Sequence, residues 1–208
     1  MSNDLVFWYA ARAAAMSAFA VLSVSLLTGM ALRTSLLGAV ARNRAVLALH
    51  GFLSWFWVPL VVVHVGCLLL DGTARIGVLD LVIPFRVAYA PVAVGLGSVG
   101  LVLLVLVGVT SAVRRRLSPV VWRWIHRLSY PMFVLFLVHA QLAGSDFSRT
   151  PISVAGWATL GMLVMLALPR AAGGRVDHRE RDDRPAPVVA APVPASAFAM
   201  PPREPIAE

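Results

Sequence analysis

Residues 45–70 read AVLALHGFLSWFWVPLVVVHVGCLLL. The run carries no Asp, Glu, Lys or Arg and exceeds the roughly 20 mainly apolar residues that cross a bilayer as a helix, so it reads as a transmembrane span. Two histidines, His50 and His64, lie inside it. Ionisable side chains are costly in lipid and mark a function when they occur there. At about 1.5 Å rise per residue, the fourteen positions between them separate the two by roughly 20 Å along the axis. At about 100° per residue those positions fall only about 40° short of four full turns, which puts both histidines on one face.

Outward from this run, comparable stretches occur at 6–31, 87–113, 119–143 and 152–169. The 208-residue chain is 59% hydrophobic and 13% charged, with mean hydropathy +0.81, which excludes an ordinary soluble domain. The expected fold is all-α: a polytopic membrane helical bundle of about five transmembrane helices, with the lipid bilayer as its first partner. The first run is longer than a secretory h-region and starts at Asp4 without a basic lead-in, so it is expected to remain as a helix. The net charge of +8 comes entirely from arginine, most of it between apolar runs, where it sets orientation and does not point to nucleic acid. The single cysteine, Cys67, excludes an internal disulfide and a cysteine-based iron–sulfur or zinc centre; it reads as a small apolar side chain.

Arg33, Arg42 and Arg44 follow the first run, and Arg114, Arg115 and Arg116 follow the third, with Arg123 and Arg127 just inside the fourth. These connections are expected on the cytoplasmic side of the cell membrane. The remaining two are balanced, one by Asp71, Arg75, Asp80 and Arg86, the other by Asp146 and Arg149. The N-terminus is then outside and the C-terminus cytoplasmic. Residues 1–169 form the membrane domain. Residues 170–208 pass through a mixed-charge run into PAPVVAAPVPASAFAMPPREP, a composition that cannot build a core and reads as a disordered cytoplasmic tail. Its charges serve as a solvated segment or as a docking site for a soluble partner. There is no GxGxxG followed by an acidic residue; Gly95, Gly97 and Gly100 read as small residues that let helices approach closely.

Four of the five histidines lie in expected spans, the other two being His126 and His139, thirteen residues apart in the fourth. Thirteen positions leave about 140° of rotation unclosed, so that span cannot be a straight ideal helix. Pro131, between the two, supplies the means to kink it. His50 and His126 lie at matching depths toward the cytoplasmic face, and His64 and His139 toward the other. Facing imidazoles at one depth can fill both axial positions of a haem iron, which pairs His50 with His126 and His64 with His139.

With these residues in view, the chain resembles the ferric reductase-like transmembrane domain, shared by ferric reductases, the membrane part of NADPH oxidases and the haem subunit of periplasmic methionine-sulfoxide reductase systems. The resemblance covers residues 5–169. It rests on H-x13-H from His50 to His64, H-x12-H from His126 to His139, WRWIHRLSYP (122–131) and VHAQLAGSD (138–146). It implies that the four histidines ligate two haems b, in the pairing that depth gives. Larger members have a further helix ahead of the first span here, and reductases and oxidases add cytosolic flavin and nicotinamide domains. The expectation for this chain is that it binds neither flavin nor NAD(P)H.

Arginine suits a haem propionate because its guanidinium binds a carboxylate bidentately. Arg127, beside His126, and Arg12, near the outer end of the first span, are the candidate cofactor-binding arginines, although either could serve only to hold a loop or to snorkel. Trp55, Phe56, Trp57, Trp122, Trp124, Tyr130 and Phe133 flank the histidines and could pack on porphyrin or anchor the interface. No membrane carboxylate pair and no serine–histidine–aspartate set occurs, so proton pumping and hydrolysis lack their residues. The expected function is a dihaem b-type membrane cytochrome, the electron-transfer subunit of an oxidoreductase. It would carry electrons from a flavin reductase or quinol to ferric iron, oxygen or a periplasmic reductase. Two alternatives stay open: a histidine-based copper or zinc binding or transport protein without haem, and a scaffold with structural histidines.

Overall fold

The computed structural model describes residues 3–32, 43–73, 75–147 and 149–173. Among them every regular element is helical: α1 (Asn3–Ala31), α2 (Asn43–Leu70), α3 (Val78–Val82), α4 (Pro91–Ala112), α5 (Pro119–Arg127), α6 (Ser129–Ala143) and α7 (Thr150–Gly173), with a 3-10 turn at Arg114–Arg116. The chain is an all-α polytopic membrane bundle. Four helices, α1, α2, α4 and α7, are each long and apolar enough to cross a membrane alone. The fourth expected span, 119–143, is delivered as two consecutive helices, α5 and α6. Arg33, Arg42 and most of the expected disordered tail, 174–208, lie outside the described residues.

The division of the fourth span has a local cause. Pro131 has no N–H to return to the carbonyl of Arg127, and its ring crowds that turn. The chain closes α5 with a tighter bond from Leu128 N–H to the Ile125 carbonyl (2.9 Å) and resumes with Met132 N–H donating to the Leu128 carbonyl (3.0 Å). The break falls between His126 and His139, which removes the angular conflict of their thirteen-residue spacing. Ser118 caps α5, its hydroxyl accepting from Val121 N–H at 3.3 Å, and Pro119 fills the first helical position, where no N–H is needed.

Two boundaries and one connection differ most from expectation. The third span starts at Pro91, not 87, because Ala90 is left-handed (φ 44°, ψ 60°) and Pro91 opens the helix. The connection ahead of it contains α3, started by Asp80, whose carboxylate accepts from Gly77 N–H at 2.8 Å, and tied to α4 by Ser98 Oγ donating to the Asp80 carbonyl at 2.8 Å. Helix α7 runs on to Gly173, four residues past the expected end at 169, through Arg170, Ala171 and Ala172, all good helix formers.

Backbones of α1 and α2 run close along each other, as do those of α4 and α6, and α1 also meets α6. The buried core is built from Leu22, Leu26 and Met30 of α1, Leu104 of α4, Met132, Phe133 and Leu137 of α6, Leu163 of α7 and Phe147 of the connecting loop. From Arg44 to Leu70, helix α2 supplies no buried residue. Its outward side chains, such as Phe52, Trp55 and Val62, are exposed, as suits a surface against lipid. Toward α2, helix α1 presents a buried stripe rich in small residues, with Ala11, Ala14, Ala18 and Ser25, which lets the two backbones approach.

Candidate functional site

The four span histidines are seated by the helices beside them. His50 Nδ1 lies 2.8 Å from the Ser25 carbonyl of α1, and His64 Nδ1 lies 2.9 Å from the Ala11 carbonyl. The fourteen residues from Ala11 to Ser25 match the fourteen from His50 to His64, so the antiparallel helices hold one register over both contacts. On the other side, His139 Nδ1 lies 2.7 Å from the Ala93 carbonyl and His126 Nδ1 lies 3.4 Å from Ser111 Oγ, both on α4. Here eighteen residues of α4 answer thirteen of the histidine segment, and the slip in register coincides with the break at Leu128. A carbonyl can only accept, so His50, His64 and His139 carry their proton on Nδ1 and keep a lone pair on Nε2. That tautomer ligates a metal, and an Nδ1–H bond to a carbonyl is the usual support for a ligating imidazole.

Two glycines make room for the rings. A Cβ on Gly97 would stand 2.8 Å from Cε1 and Nδ1 of His139, and one on Gly29 would stand 3.0 Å from Cε1 of His50. Each glycine follows the carbonyl acceptor of its histidine seat by four residues, Ala93 before Gly97 and Ser25 before Gly29, so each seat is one turn of helix with a bare Cα above an exposed carbonyl edge. Gly97 was read from the sequence only as a close-approach residue; what approaches it is a histidine ring.

The rings of His50 and His126 have centroids 6.3 Å apart and planes at 85°. Imidazole nitrogen lies about 2 Å from a first-row metal, so two axial imidazoles on one iron put their ring centres roughly 6 Å apart. The inner pair fits that spacing. His64 and His139 line one cavity of about 310 Å³, with Ala15, Phe19, Trp57 and Leu101 among its apolar walls, within the size range of small-molecule and cofactor sites. The structure thus brings His50 beside His126 and places His64 and His139 on one cavity, and the residues present fit a flat, apolar group held by a pair of imidazoles. A copper or zinc site needs three or four convergent side chains; among the described residues no three His, Cys, Asp or Glu converge.

The arginines part company. Arg12 lines the outer cavity with its guanidinium over the Trp8 ring at 4.0 Å, and it grips Asp146 by Nε to Oδ2 at 2.9 Å and Nη2 to Oδ1. Arg127 is exposed and lies over the Trp124 ring at 4.7 Å. Of the aromatic residues, Trp57 faces the outer cavity, Trp122 stacks on His126 at 5.1 Å and Phe133 is wholly buried in the core. Trp55 and Trp124 are 68% and 64% exposed, which suits interfacial or lipid contact.

The hydrogen bond from Arg12, and behind it the charges of Arg12 and Arg149, hold the Asp146 carboxyl below the usual carboxylate range against a smaller opposing effect of desolvation. A carboxyl depressed in the folded state stabilises the fold above its unfolded value, and that contribution is lost as pH falls through the folded value. Asp146→Asn is expected to lower the melting temperature in detergent at pH 7, for a loss of about 1 kcal/mol or less, as for a largely solvated pair. The gap to the unaltered chain is expected to close as the pH is lowered below 4. A gap that does not change with pH would remove the pair from the account.

A family model described as ferric reductase like transmembrane component matches residues 14–137, more than half of the chain. The chain belongs to this family. The match takes in His50, His64 and His126 and ends two residues short of His139; Arg12 lies before it. No curated protein and no solved structure gives a significant match. In this ferric reductase-like transmembrane component, the histidines were legible from the sequence, whereas Ser25, Ala93, Gly29 and Gly97, which position them, were not.

Proposed function

We propose that this chain is a dihaem b-type membrane cytochrome, with His50 and His126 holding one haem and His64 and His139 the other. The observation that carries the reading is the set of Nδ1 contacts to neighbouring helices, which leaves Nε2 as the lone-pair nitrogen of His50, His64 and His139, together with the 6.3 Å between the His50 and His126 rings and the cavity that His64 and His139 share. A haem held between His50 and His126, or between His64 and His139, would supply one-electron chemistry. The protein's own contribution is to fix tautomer and ring direction, to exclude water with the Phe19, Trp57 and Leu101 walls, and to bring Arg12 to the cavity rim, where a carboxylate can be met. Electrons enter at the His50/His126 level from a flavin reductase or quinol and leave at the His64/His139 level to ferric iron, oxygen or a periplasmic reductase. Arginine placement supports an external N-terminus and a cytoplasmic His50/His126 end, in the cell membrane.

The test is an optical spectrum of the detergent-purified chain, oxidised and dithionite-reduced, with haem quantified per chain. A Soret band and a ratio near two are expected. A colourless protein after expression in haem-replete cells would sink the proposal; a ratio of one would reduce it to a single centre.

A further inference from the structure

Charge is distributed very differently at the two ends of the bundle. All four described acidic residues, Asp4, Asp71, Asp80 and Asp146, belong to the His64/His139 end, where two of them pair with Arg86 and Arg12. The His50/His126 end carries Arg44, Arg114, Arg115, Arg116, Arg123 and Arg127, all exposed and, among the described residues, without an ion pair. The chain's own C-terminal segment does not balance this surface, since 174–208 brings five arginines and six carboxylates. The patch also adjoins His126 along the chain: Arg127 follows it, and Trp122, whose ring stacks on His126, sits one residue before Arg123.

We infer that this basic face is the docking surface for a soluble electron-transfer protein whose redox centre is ringed by acidic residues. The inference rests on the haem reading above. A positive face beside the entry haem raises the encounter rate of a negative partner and turns it so that its redox centre meets His126 and Trp122. In each productive encounter the donor loses one electron and one ferric iron becomes ferrous, with no bond formed or broken. Anionic lipid is the competing occupant. Lipid would take up charge evenly around the rim, whereas electron entry needs a carrier held at one place, next to His126.

The full chain in nanodiscs of zwitterionic phosphatidylcholine is mixed in stopped flow with reduced flavodoxin, an acidic flavoprotein, and separately with reduced lumiflavin, a small flavin that carries at most one negative charge and no acidic surface. The second-order rate constant with flavodoxin is expected to fall at least tenfold between about 0.02 and 0.5 M salt. At low salt the R114Q/R115Q/R116Q variant is expected to lose about tenfold, while R114K/R115K/R116K keeps the full rate and lumiflavin reduces all three proteins alike. A flavodoxin rate indifferent to salt, or unchanged in the glutamine variant, overturns the inference. So does a glutamine variant that loses retention on phosphatidylglycerol vesicles but keeps its flavodoxin rate, which would make the surface a lipid contact. A chain with no haem to reduce would instead defeat the proposed function, and reduction by lumiflavin separates the two failures.

Discussion

His64→Ala and His139→Ala each remove the same haem, leaving one per chain, and the double variant loses no more than either single one. Facing imidazoles share an iron, so deleting either strips the site of an axial ligand while the apolar walls remain. Alterations that act only through the support of a ligand already cost about 10–100-fold in metal affinity, and loss of the ligand itself exceeds that. His50→Ala and His126→Ala are expected to remove the other haem, and His50→Ala with His64→Ala to leave none. The measurement is haem per chain with a redox titration that resolves two components. If His64→Ala and His139→Ala affected different components, the pairing would be wrong, whatever the total haem content.

Gly97→Ala is expected to act almost as strongly without touching a ligand. The new methyl carbon would lie 2.8 Å from two atoms of the His139 ring, inside ordinary contact distance, and the ring is held on the same side by its 2.7 Å bond to the Ala93 carbonyl. Nothing flexible is available to give way: the ring must move, the bond to Ala93 must break, or α4 and α6 must separate. Each outcome misdirects Nε2, and the outer haem is expected to bind about 10–100-fold more weakly while the inner one is retained. Gly108→Ala on the same helix meets nothing within 4 Å and serves as the control; it should keep both haems. Equal haem retention in the two variants would show that His139 does not depend on its seat.

What could be read before the structure was whatever side-chain identity encodes. Apolar length gave the spans, the rarity of histidine in lipid singled out His50, His64, His126 and His139, and the conflict between a thirteen-residue spacing and helical rotation placed a break near Pro131. The seats could not be read in that way. Every residue has a carbonyl, so nothing in the letters marks Ala11 or Ala93 as the one whose lone pair a ring will reach. Gly97 could be assigned to close approach but not to a particular neighbour. Arg12 was expected from its depth beside the outer haem; it lines the cavity with His64 and His139, yet its partner Asp146 lies 134 residues away on a loop, and such a distant pairing emerges only when the helices are assembled. The short helix α3 was hidden by its charged surroundings, and its Asp80 start is a local hydrogen bond, not a hydropathy signal.

Helix α2 contributes none of the buried residues and leans on α1 through small side chains and two histidine contacts. In the dihaem reading, the cofactors are what joins it to the far side of the bundle. A ligand that binds only the assembled state adds its binding free energy to the stability of that state. The newly inserted chain is then a substrate for membrane proteases until haem arrives, and the amount of protein that persists in the cell follows the haem supply more closely than the rate of synthesis.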